Sequence, residues 1–170
     1  GSPVRLAWYA GEDGFPSQDI VADLISGVAA ALGASRRVYF GTSGGGFAAL
    51  YFSHRDAGSF VIAGNPQVKI ENYTSSSVIT RYRLSCWPKL AKNDGINQVT
   101  CADLTALYGQ GYANTVIYVQ TSGDRPHVEN HMLPFLAAIN GAPEGKSRLL
   151  LHSDFWGSLG HVTAPKEYVS

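Results

Sequence analysis

The chain has little net charge, little sulphur and no long apolar run. Its 13 basic and 13 acidic residues cancel, and only Arg81-Tyr82-Arg83 and Lys89 to Lys92 approach a basic cluster. A nucleic-acid surface needs clustered Lys and Arg, so no nucleic-acid partner is expected. The longest apolar stretches, Phe47 to Phe52 and Leu133 to Ile139, fall far short of the roughly 18 residues that cross a bilayer. Two cysteines, Cys86 and Cys101, are too few for a metal site of their own; spacing leaves open one disulfide or two separate thiols. No signal peptide opens the chain, and Gly1-Ser2 reads as an expression scar that can stand where a natural N-terminus was removed, so the cytoplasm is only a default expectation. What is present, 45% apolar residues over 170 positions, suffices for one globular domain with a substantial core.

Short apolar runs alternate with segments of helical periodicity. Val4 to Tyr9, Arg37 to Phe40, Ser59 to Ala63, Thr115 to Gln120 and Arg148 to Leu151 read as strands. Ile20 to Leu32, with Ile20, Leu24, Ile25, Val28 and Leu32 at helical spacing, reads as a helix that Ser17 or Asp19 caps and Gly33 ends. The apolar run Gly46 to Phe52 reads as a second, buried helix. Such alternation predicts an α/β fold, a mostly parallel sheet with helices on both faces. Between Gln67 and Asn114 the alternation lapses. Ser75-Ser76-Ser77 and Asn93-Asp94-Gly95 look like loop, and Thr100 with Asp103 suggests a short capped helix ending near Gly109. Residues 67–114 are expected to form a lid, with Tyr73, Tyr82, Trp87 and Tyr108 either lining a cleft or packing the lid onto the body.

The chemistry concentrates at Gly41-Thr42-Ser43-Gly44-Gly45, directly after a strand. This is G-x-S-x-G, a serine presented on a sharp strand-to-helix turn that needs glycine at Gly41 and Gly45, with the Gly44 N–H aimed where an oxyanion would form. Gly44 to Ala49 also fits G-x-G-x-x-A, the dinucleotide fingerprint, but the following strand ends in Gly64-Asn65-Pro66 without the acidic residue that would bind ribose.

A serine nucleophile needs a histidine base, oriented by a carboxylate. Asp124 follows the Thr115–Gln120 strand, and His161 follows the last strand. Asp154 and His152 are the competitors. Each chosen residue lies just beyond the carboxyl end of a strand, where open α/β sheets hold ligands. His127-Val128-Glu129-Asn130-His131 pairs two histidines but matches no zinc motif, so no metal is expected. Because Pro134 suits a first helical turn, that segment is read as loop, with His127 bordering the substrate.

These residues resemble the α/β-hydrolase superfamily in its elbow and in the order Ser, acid, His. The resemblance implies a compact or N-terminally truncated hydrolase fold over residues 1–170. It further implies Ser43, Asp124 and His161 as a triad, Gly44 as an oxyanion donor, Trp156 and His127 at the substrate, and no cofactor. A second oxyanion donor is expected at Gly11 if Val4 to Tyr9 lies beside the elbow strand; otherwise an upstream segment or a second chain would complete the sheet. The stretch from Tyr39 to Gln67, including Asn65-Pro66-Gln67, is also similar to hydrolase-fold O-acetyltransferases and esterases of bacterial surface glycans. Three functions follow: a serine esterase, an O-acyltransferase acting on a glycan, or a non-catalytic binding domain.

Overall fold

The structure, a computed structural model, describes residues 7–143 and 148–162. Four strands, β1 (Val38–Thr42), β2 (Phe60–Gly64), β3 (Thr115–Thr121) and β4 (Leu149–Asp154), form one all-parallel sheet in sequence order. Each crossover carries a helix: α2 (Ser43–His54) after β1, α3 (Ser76–Cys86) and α4 (Leu104–Gly109) after β2, and a helical run after β3. Helix α1 (Ser17–Ala31) precedes the sheet.

The pairing places Tyr39, Val61, Val116 and Leu149 in one row, so they share a face. That face carries the core: Phe47 and Leu50 of α2, Leu104 and Tyr108 of α4 and Phe135 are all buried with Val61, Val116 and Tyr118. The row Phe40, Ile62, Ile117 and Leu150 points the other way. Helices on both faces were the expectation from strand-helix alternation; among the described residues they cover the first face, while Phe40 and Leu150 are 58% and 59% exposed on the second. Parallel sheets are ordinarily covered on both sides.

Several local readings change. Ala7–Tyr9 is a 3₁₀ turn, with Trp8 and Tyr9 at φ 60° and 54°, instead of the end of a strand. Val4 to Leu6 lie outside the described residues. Ser17 opens α1 without capping it; its hydroxyl donates to the Tyr9 carbonyl. The α1 stripe Ile20, Leu24, Val28 and Leu32 faces outward, and Ala29 with Val21 and Ile25 faces the core. Ser75 sits at the N-terminal boundary of α3, so the serine cluster starts a helix where a loop was expected. Asp103 caps α4, accepting from the Thr105 and Ala106 N–H groups. Tyr82, Trp87 and Tyr108 of the expected lid are buried in the common core, Tyr82 edge-on to Trp8 with ring centroids 4.7 Å apart. Cys86 and Cys101 are not joined in a disulfide, and burial pushes the Cys101 thiol up to about 11.

The segment expected as loop is helical throughout: α5 (Arg125–His127), a π-helical turn (Val128–Met132) and α6 (Leu133–Gly141) run on without a break. Pro134 brings no N–H to a helix, so a carbonyl one turn back loses its donor. The wide turn absorbs this at Asn130, whose carbonyl accepts from the Asn72 side chain at 3.2 Å.

Candidate active site

Ser43, Asp124 and His161 each lie just past the carboxyl end of a strand, β1, β3 and β4 respectively, whereas Gly11 follows no strand among the described residues. Ser43 begins α2 at φ 53°, in the left-handed region that side chains rarely occupy. Such strain persists only where the surroundings impose it, and it recurs at functional sites. Two close approaches impose it here. A Cβ on Gly41 would lie 2.1 Å from the Gly45 carbonyl oxygen, and one on Gly46 would lie 2.8 Å from the Pro66 ring. A Cβ on Gly45 would meet nothing within 4 Å, so the second steric requirement belongs to Gly46 and not to Gly45 as expected. Thr42, at the N-cap position, makes no side-chain cap bond, which leaves the first N–H groups of α2, Gly44 among them, free of that partner.

Asp124 and His161 meet. His161 Nδ1 lies 2.7 Å from Asp124 Oδ2, and Asp124 is buried. The His161 loop is held in place from two sides. The Gly160 N–H donates to the Gly123 carbonyl, and the Asn65 side chain donates to the Val162 carbonyl at 2.8 Å while accepting from the Thr121 N–H. Asn65, itself at φ 41°, thus ties the end of β2 to β3 and to the histidine loop. The competitors sit elsewhere: His152 is exposed on β4, and Asp154 Oδ1 accepts from its neighbour's N–H.

His127 is buried behind the carboxylate, away from open surface. Its Nδ1 lies 2.9 Å from the same Asp124 oxygen, its backbone N–H donates to Asp124 Oδ1, and its ring stacks on His161 at 4.2 Å. Burial, reinforced by His161 and opposed by Asp124, lowers the His127 pKa. Neutral His127 therefore donates through Nδ1. His131 is packed next to it, 5.1 Å between ring centroids, and Nδ1 there accepts from the Val68 N–H. Asp124, His127 and His161 are also the cluster whose donor atoms could hold a cation, all within 4.8 Å of one another. Zinc ligands at about 2.1 Å in a tetrahedron stand roughly 3.4 Å apart, so binding would require both short hydrogen bonds to open.

Gln67 and Trp8 complete the surroundings of Ser43. The Gln67 amide donates from Nε2 to Ser43 Oγ at 3.2 Å, its backbone N–H donates to the Ser43 carbonyl, and its Oε1 accepts from the Trp8 indole. Sequence reasoning named Gln67 only within a family-like string and gave Trp8 no role. The usable signal was a polar residue just past the strand beside that of Ser43. Gly11 lies in a tight turn at φ 98°, where a Cβ would press on the Phe15 carbonyl. Trp156 is half-buried on the loop between β4 and His161.

A parallel sheet with a strained serine on the turn after its first strand defines an α/β-hydrolase-like fold. Comparison with solved structures agrees. The capsule O-acetyltransferase of Neisseria meningitidis serogroup A, as a histidine-to-alanine mutant in complex with CoA, overlays with a TM-score of 0.59 at 14% identity, covering 96% of this chain and 64% of that one. Another structure of that enzyme gives 0.54 at 15% identity, covering 86% and 60%. A carboxylesterase from the thaumarchaeon Nitrososphaera gargenis overlays at 0.43 and 13% identity, covering 82% and 65%. The chain thus spans less than two thirds of these structures. No family model matches it, and no curated protein matches it in sequence.

Proposed function

We propose that this domain is a serine acyl-transfer enzyme, an esterase in its simplest form. The observation that carries the reading is Ser43 at φ 53° on the elbow, with the Asp124–His161 pair at 2.7 Å on loops at the same end of the sheet. Ser43 Oγ attacks the ester carbonyl, and its proton passes to His161. The carbonyl electron pair moves onto oxygen, where the Gly44 N–H meets it; with Ala7–Tyr9 a turn and no strand beside β1 on that side among the described residues, the condition that made Gly11 the second backbone donor is not met. Collapse breaks the bond to the leaving alkoxide, which takes the proton back from His161. Water then repeats the sequence on the acyl-enzyme. Asp124 holds His161 in the tautomer that presents the other ring nitrogen to serine. Trp156 would contact the substrate. No cofactor enters these steps.

The overlay with a capsule O-acetyltransferase favours a second reading, in which a glycan hydroxyl replaces water as the acyl acceptor. The exposed row on the sheet and the outward stripe of α1 support a further segment or a second chain covering them. A fluorophosphonate probe should label the folded protein and fail on Ser43→Ala. An unlabelled parent would leave only a binding domain. Comparing p-nitrophenyl acetate hydrolysis with acetyl transfer to glycan acceptors separates the two enzymes.

A further inference from the structure

The geometry points to Gln67 as a catalytic residue, its side-chain amide supplying an oxyanion donor alongside the Gly44 N–H. The inference rests on the serine acyl-transfer reading above. Gln67 is 3% exposed, and three bonds fix it: the backbone N–H to the Ser43 carbonyl at 3.1 Å, Oε1 to the Trp8 indole, and Nε2 to Ser43 Oγ at 3.2 Å. The amide has one possible orientation. An indole N–H only donates, so the oxygen must face Trp8 and the NH₂ must face the serine. Trp8 is itself buried, and its 3₁₀ turn at positive φ lays the ring against Gly44; a Cβ there would lie 3.4 Å from the ring and 3.7 Å from Gln67 Oε1. Gly44 and the Gln67 side chain therefore lie side by side next to Ser43, with Nε2 the atom that reaches Oγ.

The donor is placed to be used more strongly in the transition state than before it. In the resting enzyme Nε2–H donates to a neutral hydroxyl. As the bond from Oγ to the acyl carbon forms, Oγ becomes an ester oxygen and a poor acceptor. The carbonyl electron pair then arrives as full charge on an oxygen two bonds away, while the Oγ proton goes to His161. A small shift moves the Nε2–H bond onto that oxygen, and a bond to an ion is about twice as strong as one to a neutral group. On collapse the electron pair returns, the bond to the leaving oxygen breaks, and the amide reverts to Oγ. One oxyanion donor is worth about 10²–10³ in turnover.

The test compares parent, Gln67→Ala, Gln67→Glu, Trp8→Phe and Ser43→Ala on p-nitrophenyl acetate. It also compares binding of a short alkyl trifluoromethyl ketone, which forms a hemiketal oxyanion on serine, with binding of the matching unreactive ether. Gln67→Ala should lower kcat about 10²–10³-fold with KM nearly unchanged, and should weaken the ketone by a similar factor while sparing the ether. Gln67→Glu, nearly isosteric but without the donor, should lose at least as much. Trp8→Phe, which frees the amide to rotate, should lose part of the same factor. A folded Gln67→Ala or Gln67→Glu protein with kcat within threefold of the parent overturns the inference, as does equal loss of ketone and ether binding. If Ser43→Ala turns over like the parent, the acyl-transfer reading itself fails, whatever Gln67 does.

Discussion

Acidification from pH 7 to pH 5 should cost the folded protein about 2 kcal/mol through His131 alone. The ring is completely buried, its Nδ1 accepts from the Val68 N–H, and its Nε2 has no partner among the described residues. A proton on Nδ1 would break that bond. Burial, with the neighbouring His127 and His161 outweighing Asp124, lowers the pKa to about 4. The unfolded chain titrates near 6.5. Between these values the unfolded state binds a proton that the folded state refuses, so the contribution is complete above about 6.5 and is lost as pH falls toward 4. At pH 5 the unfolded histidine lies about 1.5 units below its pKa, which at 1.36 kcal/mol per unit gives about 2 kcal/mol. For a chain of this size that is a fall of about 4–8 °C in Tm. Urea denaturation at both pH values, on the parent and on His131→Asn, isolates the effect. Asn retains an acceptor for Val68 and does not titrate, while His54 and His127, whose pKa values burial also lowers, remain in both proteins. The variant should lose about 2 kcal/mol less than the parent on acidification. Equal losses within about 0.5 kcal/mol would refute the assignment.

Asp124→Asn keeps the cap that its Oδ1 provides to the His127 N–H but no longer fixes the His161 tautomer. Its kcat should fall about 10³–10⁴-fold, with Tm lowered as well because Oδ2 is also the acceptor of the buried His127 Nδ1, and full activity would remove Asp124 from the mechanism. Gly41→Ala sets a Cβ against the Gly45 carbonyl and should cost about 4 kcal/mol or more, whereas Gly45→Ala, open to solvent, should hold or raise Tm slightly; calorimetry on the pair decides between the two glycines. Asn65→Ala frees the Val162 carbonyl and the Thr121 N–H. It should lower kcat about tenfold through the His161 loop, with the pH profile of kcat changed, and an unaltered profile would make Asn65 merely structural.

The serine turn and the places of Asp124 and His161 past later strands were legible because both are local: a glycine-flanked serine after a strand, and polar residues just past later strands, carry their position in their neighbours. The strands of the sheet were legible for the same reason, except at the N-terminus, where Trp8 and Tyr9 enter the left-handed region and a strand-like composition becomes a turn. The orientation of α1 was not legible. Its apolar residues mark a stripe, but which side meets the core depends on where the helix docks. His127 read as bordering the substrate from a loop that Pro134 suggested; the Asn72 side chain and a π-helical turn keep the segment helical and fold His127 behind Asp124.

By itself the sequence determined a strand-helix alternation, a strained serine turn and a histidine and carboxylate on later loops, since these follow from short-range periodicity and from glycine's conformational freedom. Tertiary structure alone decided which side chains surround the serine. Gln67 lies 24 residues from Ser43 and Trp8 lies 59 from Gln67, and only the parallel pairing of β1 with β2 and the burial of the indole bring the three together. Contacts at such separations depend on how the sheet closes and what the core accepts, and no local pattern encodes them.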